Sequence, residues 1–340
     1  MKPLNVISLF DGKACARVAL ERAGIPVGDY YASEIDKYAM IVAKNNYPDI
    51  QHVGDVTKLH HIDWSGIDLL CGGSPCQGFS FAGKQLNFED PRSALFFEFV
   101  RIWNEIKTVN HNAKFFLENV VMKQEYQDVI SGLLGVKPIM VNSALVSAQN
   151  RKRLYWTNIE GFVMPEDKKI VLRNILSDFN SKLLHTDIAI EYMNRIEPKS
   201  GRSKWDFKFH SDTENDKSAC VVANFFKGVP NNVLIVREAT KKGFIEVNPG
   251  ESFDITFSES KTRRGRLMAD KSNCMKATKF DYANYVGGDV VRKFTTVECE
   301  RLQTLPDNYT QGVSDTQRYK MIGNGWTIDV IVEFFKHLKS

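Results

Sequence analysis

No stretch of this sequence reaches the roughly 18 consecutive apolar residues that a membrane-crossing helix needs. The first segment, Met1-Lys2-Pro3 followed by Leu4–Phe10, lacks the longer apolar region and small-residue cleavage site of a secretory leader, so a protein retained inside the cell is expected. Cysteine is scarce. Cys15, Cys71, Cys76, Cys220, Cys274 and Cys299 are spread over 340 residues, too thinly for a disulfide scaffold. No two form a Cys-x-x-Cys pair and none stands beside histidines at ligand spacing, so no metal site is expected. A large excess of one charge is also missing, because the formal net charge is only +4. With 43% hydrophobic and 25% charged residues, the composition excludes collagen-like, low-complexity and wholly disordered chains.

What is present is an alternation. Leu4–Phe10, Tyr30–Ile35, Asp68–Gly72, Lys114–Asn119 and Ile139–Val146 have the length and the β-branched and aromatic content of strands. Helical spacing falls between them, over Ala16–Ala23, Asp36–Asn45 and Ser93–Lys107. Such alternation implies an α/β fold with a mostly parallel sheet covered on both faces, whose ligands bind beyond the carboxyl ends of the strands. From about Asp178 the pattern weakens. Pro198–Lys217 reads as a loop, and short apolar runs at Cys220–Ala223, Val233–Val236 and Phe253–Phe257 predict a smaller, irregular, strand-rich domain. Lys217-Ser218-Ala219-Cys220 and Lys271-Ser272-Asn273-Cys274 form a weak internal echo. Helix signals return at Thr296–Gln303 and Ile328–Lys339. The expected division is therefore 1–177, 178–290 and a returning 291–340. Between Arg195 and Arg292, lysine and arginine outnumber aspartate and glutamate by 18 to 13, a local excess that fits either a phosphate-facing surface or a solvated one.

Three segments carry chemistry-bearing residues. Gly72-Gly73-Ser74-Pro75-Cys76-Gln77-Gly78-Phe79-Ser80 follows a predicted strand, so Cys76 falls where a crevice opens. A thiol there is a nucleophile if positive charge lowers its pKa, and otherwise a buried thiol in a tight turn. Phe115-Phe116-Leu117-Glu118-Asn119-Val120 is an apolar strand ending in a carboxylate, suited to donating a proton or simply exposed to water. Gln149-Asn150-Arg151-Lys152-Arg153 places two guanidinium groups two residues apart, on one side of an extended segment, able to orient a carboxylate or phosphate.

In this order the three segments resemble the DNA (cytosine-5)-methyltransferases. Pro75-Cys76-Gln77, Glu118-Asn119-Val120 and Gln149-x-Arg151-x-Arg153 match three of that family's motifs. Arg292–Gln303 resembles its Arg-x-Leu-Thr-x-x-Glu-x-x-Arg-Leu-Gln block, and Gly323-Asn324-Gly325-Trp326 resembles the segment that closes its cofactor pocket. Ser8–Asp11, Gly73–Cys76, Leu95–Phe99 and Glu118–Met122 are also similar to the animal de novo enzymes, while the compact length is more like a bacterial or phage enzyme.

The resemblance implies a Rossmann-like, S-adenosylmethionine-dependent methyltransferase fold and a target-recognition domain over 178–290. It implies that the Cys76 thiolate adds to C6 of a flipped cytosine, that Glu118 contacts N3, and that Arg151 and Arg153 hold Glu118 and the cytosine O2. For S-adenosylmethionine it implies Phe10, Asp11 and Gly12 after the first strand, then Glu34 for the ribose and Ile35 beside the adenine. Asp55, Val56, Pro75, Leu95, Asn324 and Trp326 complete the pocket. For double-stranded DNA it implies Gln77, Ser80, Arg263, Arg264 and Arg266. A monomer in the bacterial cytoplasm, or in the host cytoplasm if phage-encoded, and a restriction endonuclease encoded nearby accompany this reading. Two rivals have their own signatures. A transfer-RNA methyltransferase of the same fold carries a Cys-Phe-Thr triplet, which this sequence lacks, and a catalytically silent DNA-binding homologue loses the cysteine or the cofactor loop. One departure stands out: in Lys13-Ala14-Cys15, Ala14 and Cys15 replace glycines, a backbone that passes if φ stays negative, and Lys13 is expected near the cofactor's methionine moiety, where an altered cofactor preference is a live hypothesis.

Overall fold

A computed structural model of the chain describes residues 2–60, 62–74, 94–175 and 294–339. Between these last two ranges it describes 209–210, 233–237, 244–247, 251–254, 267–268, 272–273, 282–285 and 291–292. Two compact units result. Met1–Ser147, Arg151–Lys169 and Glu300–Ser340 form the first, Ala148–Asn150 and Ile170–Cys299 the second.

The first unit is built on strands β1 (Leu4–Leu9), β2 (Val27–Ser33), β3 (Gln51–His52), β4 (Leu69–Gly72), β5 (Lys114–Val120), β6 (Ile139–Asn142) and β8 (Lys152–Thr157). They form one sheet in the order β3-β2-β1-β4-β5-β8-β6. Pairing is parallel from β3 to β5, and only β8 runs against its neighbours. The order reverses at β1, which lies between β2 and β4, and ligands of such sheets bind outside the carboxyl ends of the strands at that point.

Alternation within the strands explains why both faces are covered. Val6, Leu69, Cys71 and Phe116 face a core shared with Val18 and Leu20 of helix α1 (Cys15–Arg22). Ile7, Leu9, Leu70, Phe115 and Leu117 face a second core with Phe96, Phe99, Ile102, Trp103 and Ile106 of α3 (Ala94–Val109). Neighbouring residues enter opposite cores, as a doubly covered parallel sheet requires. Helix α2 (Lys37–Asn46) starts at Asp36, whose Oδ1 accepts from the Tyr38 and Ala39 amides. Helix α4 (Gln124–Leu134) precedes β6, and α5 (Thr296–Leu302), α6 (Asp315–Asn324) and α7 (Ile328–Phe335) complete the chain.

Several boundaries differ from expectation. The run Ile139–Val146 is a strand only to Asn142; the Asn142 side chain then accepts the Ala144 amide and starts a 3₁₀ turn. In the second unit, β9 (Phe209–His210), β10 (Val233–Arg237) and β11 (Phe244–Val247) form an antiparallel sheet in the order β11-β10-β9. The segment read as a loop over Pro198–Lys217 therefore contains a strand, one too short to show periodicity. Strands β12 (Ser252–Asp254), β13 (Leu267–Met268), β15 (Tyr282–Tyr285) and β16 (Val291–Arg292) form another sheet, and β14 (Ser272–Asn273) pairs in parallel with β7 (Gln149–Asn150). Cys220–Ala223 and most of the internal echo lie outside the described residues. No helix among the described residues is long and apolar enough to cross a membrane.

Candidate active site

The turn leaving β1 has an unusual backbone. Phe10, Gly12 and Ala14 all adopt left-handed conformations, with φ of 56°, 60° and 64°. The condition of a negative φ for a glycine-free turn is not met at Ala14, the residue that turns the chain into α1. Non-glycine residues there are strained and persist only where surroundings hold them. The holding contacts are visible: the Asp11 amide donates to the Ser33 carbonyl at 3.2 Å and the Gly12 amide to Glu34 Oε2 at 2.9 Å.

Glu34 follows β2 directly. Its other oxygen accepts the amides of Ile35 and Asp36, both at 2.7 Å, so three backbone donors orient the carboxylate. Beside it Ile35 is 75% exposed, an apolar side chain facing open space. Asp55 starts a short 3₁₀ turn, where the Thr57 amide and hydroxyl hold its carboxyl below the usual range. Val56 is buried below it, and Phe10 and Leu95 pack against the same core. Asp11 is nearly enclosed. Its Oδ1 accepts the Tyr30 hydroxyl at 2.6 Å, its Oδ2 has no partner, and burial pushes its pKa up to about 7. An exposed apolar surface next to a fixed carboxylate suits a nucleoside, and an unpartnered buried oxygen suits a cationic ligand.

The second half of the site lies at β4 and β5. Gly72 pairs with Leu117, so Gly73 runs beside Glu118. A Cβ on Gly73 would lie 2.8 Å from Trp326 Nε1 and 3.3 Å from Glu118 Oε2; only glycine lets the chain pass between them. Glu118 is 8% exposed, and Arg153 Nε stands 3.0 Å from its Oε1. Its surroundings are therefore less apolar than the strand suggests. Asn119 donates to Ser74 Oγ at 3.0 Å, tying the Glu-Asn-Val strand to the turn that precedes Pro75.

Arg151 behaves differently from Arg153. It is 3% exposed and reaches the carbonyls of Gly323 at 3.3 Å and Gly325 at 2.8 Å, at the end of α6. Arg151 lies just before β8 and Arg153 within it, and the contacts described here take Arg151 to the end of α6 and Arg153 to Glu118. Trp326 is buried, edge-on to Phe116, and Asn324 is exposed. Lys13 is 1% exposed and donates to the Met321 carbonyl at 3.0 Å. Pro75, Cys76, Gln77, Ser80, Arg263, Arg264 and Arg266 lie outside the described residues. Tyr30, the partner of Asp11, had no signal in the sequence beyond being a tyrosine in an apolar strand.

A model of the C-5 cytosine-specific DNA methylases matches residues 4–340. The chain belongs to that family. It is similar to the type II methyltransferase M1.ScrFI of Lactococcus lactis subsp. cremoris, 30% identical over 348 residues that span 96% of this chain and 76% of the relative. It is also similar to the orphan methyltransferase M.SPRI of Bacillus phage SPR, 26% identical over 99% of this chain and 98% of the relative. The solved S. pombe Dnmt2 methyltransferase shares the fold, with a TM-score of 0.61 at 14% identity over 98% of each chain. This DNA cytosine-5 methyltransferase uses S-adenosylmethionine as its methyl donor.

Proposed function

We propose that this methyltransferase modifies cytosine at a specific double-stranded DNA sequence through a covalent bond between Cys76 and C6. The observation that carries the reading is the joint placement of Glu118, Arg153 and Gly73-Ser74. An oriented carboxyl stands beside the turn from which, two residues later in the sequence, the nucleophile follows.

Cytosine C5 is too electron-poor to accept a methyl group directly. Addition of the Cys76 thiolate to C6 pushes an electron pair into the ring, and Glu118 at N3 stabilises that charge. Arg153 holds Glu118 and reaches the cytosine O2. When bound, S-adenosylmethionine supplies the methyl group that C5 accepts. Solvent water then takes the C5 proton, the C–H electron pair re-forms the C5–C6 double bond, and the Cys76 sulfur leaves C6 as a thiolate. The base must leave the stack for this, at a cost of a few kcal/mol.

For the cofactor, Glu34 takes the ribose hydroxyls, Ile35, Phe10 and Val56 flank the adenine, and Asp55 accepts from its amino group. Asp11, Gly12, Pro75, Leu95, Asn324 and Trp326 close the pocket. Residues 178–290 form the target-recognition domain between the catalytic segments 1–177 and 291–340, within a central compact unit that runs over Ile170–Cys299. Arg263, Arg264 and Arg266 read base edges or hold phosphates there, and Gln77 and Ser80 contact the DNA near the flipped base. The enzyme acts as a monomer in the cytoplasm. The name of M1.ScrFI favours a restriction partner and that of M.SPRI a solitary enzyme; a restriction endonuclease accompanies this enzyme.

Bisulfite sequencing of DNA from cells expressing the protein should reveal methylated cytosine in one sequence context. Cys76→Ala should leave none. An oligonucleotide carrying 5-fluorocytosine in that context should form a permanent adduct with the wild-type chain. Modified cytosine made by Cys76→Ala refutes the mechanism.

A further inference from the structure

Lys13 is an expensive residue to bury. A long cationic side chain gives up hydration and rotamer freedom, and such residues are rarely enclosed without a task. Here the side chain is 1% exposed, and its ammonium donates to the Met321 carbonyl in the last turn of α6, where the helix dipole favours a cation. The backbone of Lys13 is fixed as well, since its carbonyl accepts the Tyr309 hydroxyl at 2.7 Å.

The end of α6 is shaped around that ammonium. A Cβ built on Gly325 would lie 1.8 Å from Lys13 Nζ and 3.2 Å from its Cε. A side chain at position 325 therefore displaces the Lys13 ammonium from the Met321 carbonyl, and glycine there leaves room for it. Two further donors grip the same backbone: Arg151 bonds the carbonyls of Gly323 and Gly325, and Gln303 Nε2 bonds those of Ile322 and Gly325. Of these three donors, only Lys13 belongs to the turn after β1.

We infer that Lys13 is a positioning residue that locks the β1–α1 turn to the Asn324–Trp326 segment, so that the two walls of the cofactor pocket are set at one separation before the cofactor arrives. This rests on the cofactor placement proposed above. The strut cuts the ordering cost of binding, so its removal weakens affinity in the folded protein rather than stability alone.

The test is calorimetric titration of the free full-length protein with S-adenosylhomocysteine, without DNA, beside thermal melting. Lys13→Met should raise Kd about tenfold, the scale of one lost charged hydrogen bond. Gly325→Ala should raise it similarly by displacing the ammonium. Lys13→Met combined with Gly325→Ala should be no worse than Lys13→Met alone. Tyr309→Phe, a milder change, should raise Kd about threefold; it decides the question if the lysine variant does not fold. A Kd within twofold of wild type in Lys13→Met or Tyr309→Phe, whatever the melting temperature, overturns the inference. So does simple additivity in the double variant. Phe10→Ala separates the layers. If it still binds normally, the cofactor placement and the strut both fall; if it loses binding while Lys13→Met keeps it, the strut alone falls.

Discussion

Replacing Asp11 by asparagine should stabilise the protein at neutral and alkaline pH while leaving it nearly unchanged below pH 4. The Asp11 carboxyl is raised from 3.8 to about 7 by burial, against the opposing hydrogen bond from Tyr30. The folded state therefore holds a proton that the unfolded chain releases between these values. The stability this provides is complete below the unfolded value and is lost as the pH climbs through 7. At about 1.4 kcal/mol for each pH unit between the two values, the loss is on the order of 4 kcal/mol. That is a large part of the roughly 5–15 kcal/mol of a typical domain. Asparagine keeps the oxygen that accepts the Tyr30 hydroxyl and cannot ionise. Urea melts of both proteins at pH 5, 7 and 8.5 isolate the effect, because the other titrating groups are common to the pair. The variant's advantage should grow from roughly 1–2 kcal/mol at pH 5 to roughly 4 kcal/mol at pH 7 and then level off. A difference that does not change with pH, or a variant less stable at pH 8.5, refutes the reasoning.

Gly73→Ala should lower kcat at least about a hundredfold with a normal circular dichroism spectrum, because the added methyl group must push either Trp326 or Glu118 aside. Single-turnover rates check it, and a loss below fivefold contradicts the close approach. Ile35→Ser should raise KM for S-adenosylmethionine about tenfold and leave both kcat and the melting temperature unchanged, since the side chain is exposed and its apolar face is covered only by ligand. Initial rates at varied cofactor concentration decide it.

The sheet was legible because its strands are short apolar runs with helical patterns between them, and the two cores follow from the alternation within β1, β4 and β5. Strand β8 was not. Lys152 and Arg153 open it with charge, and its burial begins only at Leu154, so it reads as a basic segment rather than as a reversed strand. Helix α6 was hidden for a related reason: only Met321, Ile322 and Gly323 are buried, and a polar surface helix leaves no apolar stripe. Motif order pointed to the neighbourhood of the site without distinguishing residues that meet the substrate from those that hold the backbone. Glu298 shows the difference. It sits in the Thr-x-x-Glu part of a block that resembles a family motif, and its carboxylate accepts the Thr295 amide while its own amide donates to the Thr295 hydroxyl. That is a capping box, and its task is to begin α5.

Arg151 and Arg153 pose the same distinction within one motif, and conservative substitution separates them. Arg151 spends two guanidinium nitrogens on two carbonyls at the end of α6, a forked contact that an ammonium cannot reproduce. Arg153 presents Nε to Glu118 at a largely buried position, where lysine retains the charge but not the direction. Arg151→Lys should therefore act through the segment bearing Asn324 and Trp326, raising KM for S-adenosylmethionine about tenfold with little change in kcat. Arg153→Lys should act on the carboxyl that meets the cytosine, lowering kcat about tenfold or more and leaving cofactor KM alone. Steady-state kinetics on one DNA substrate, with each substrate varied in turn, measure both. If the two variants lose the same kinetic constant, Arg151 works on the reacting base after all, and its grip on α6 is incidental to catalysis.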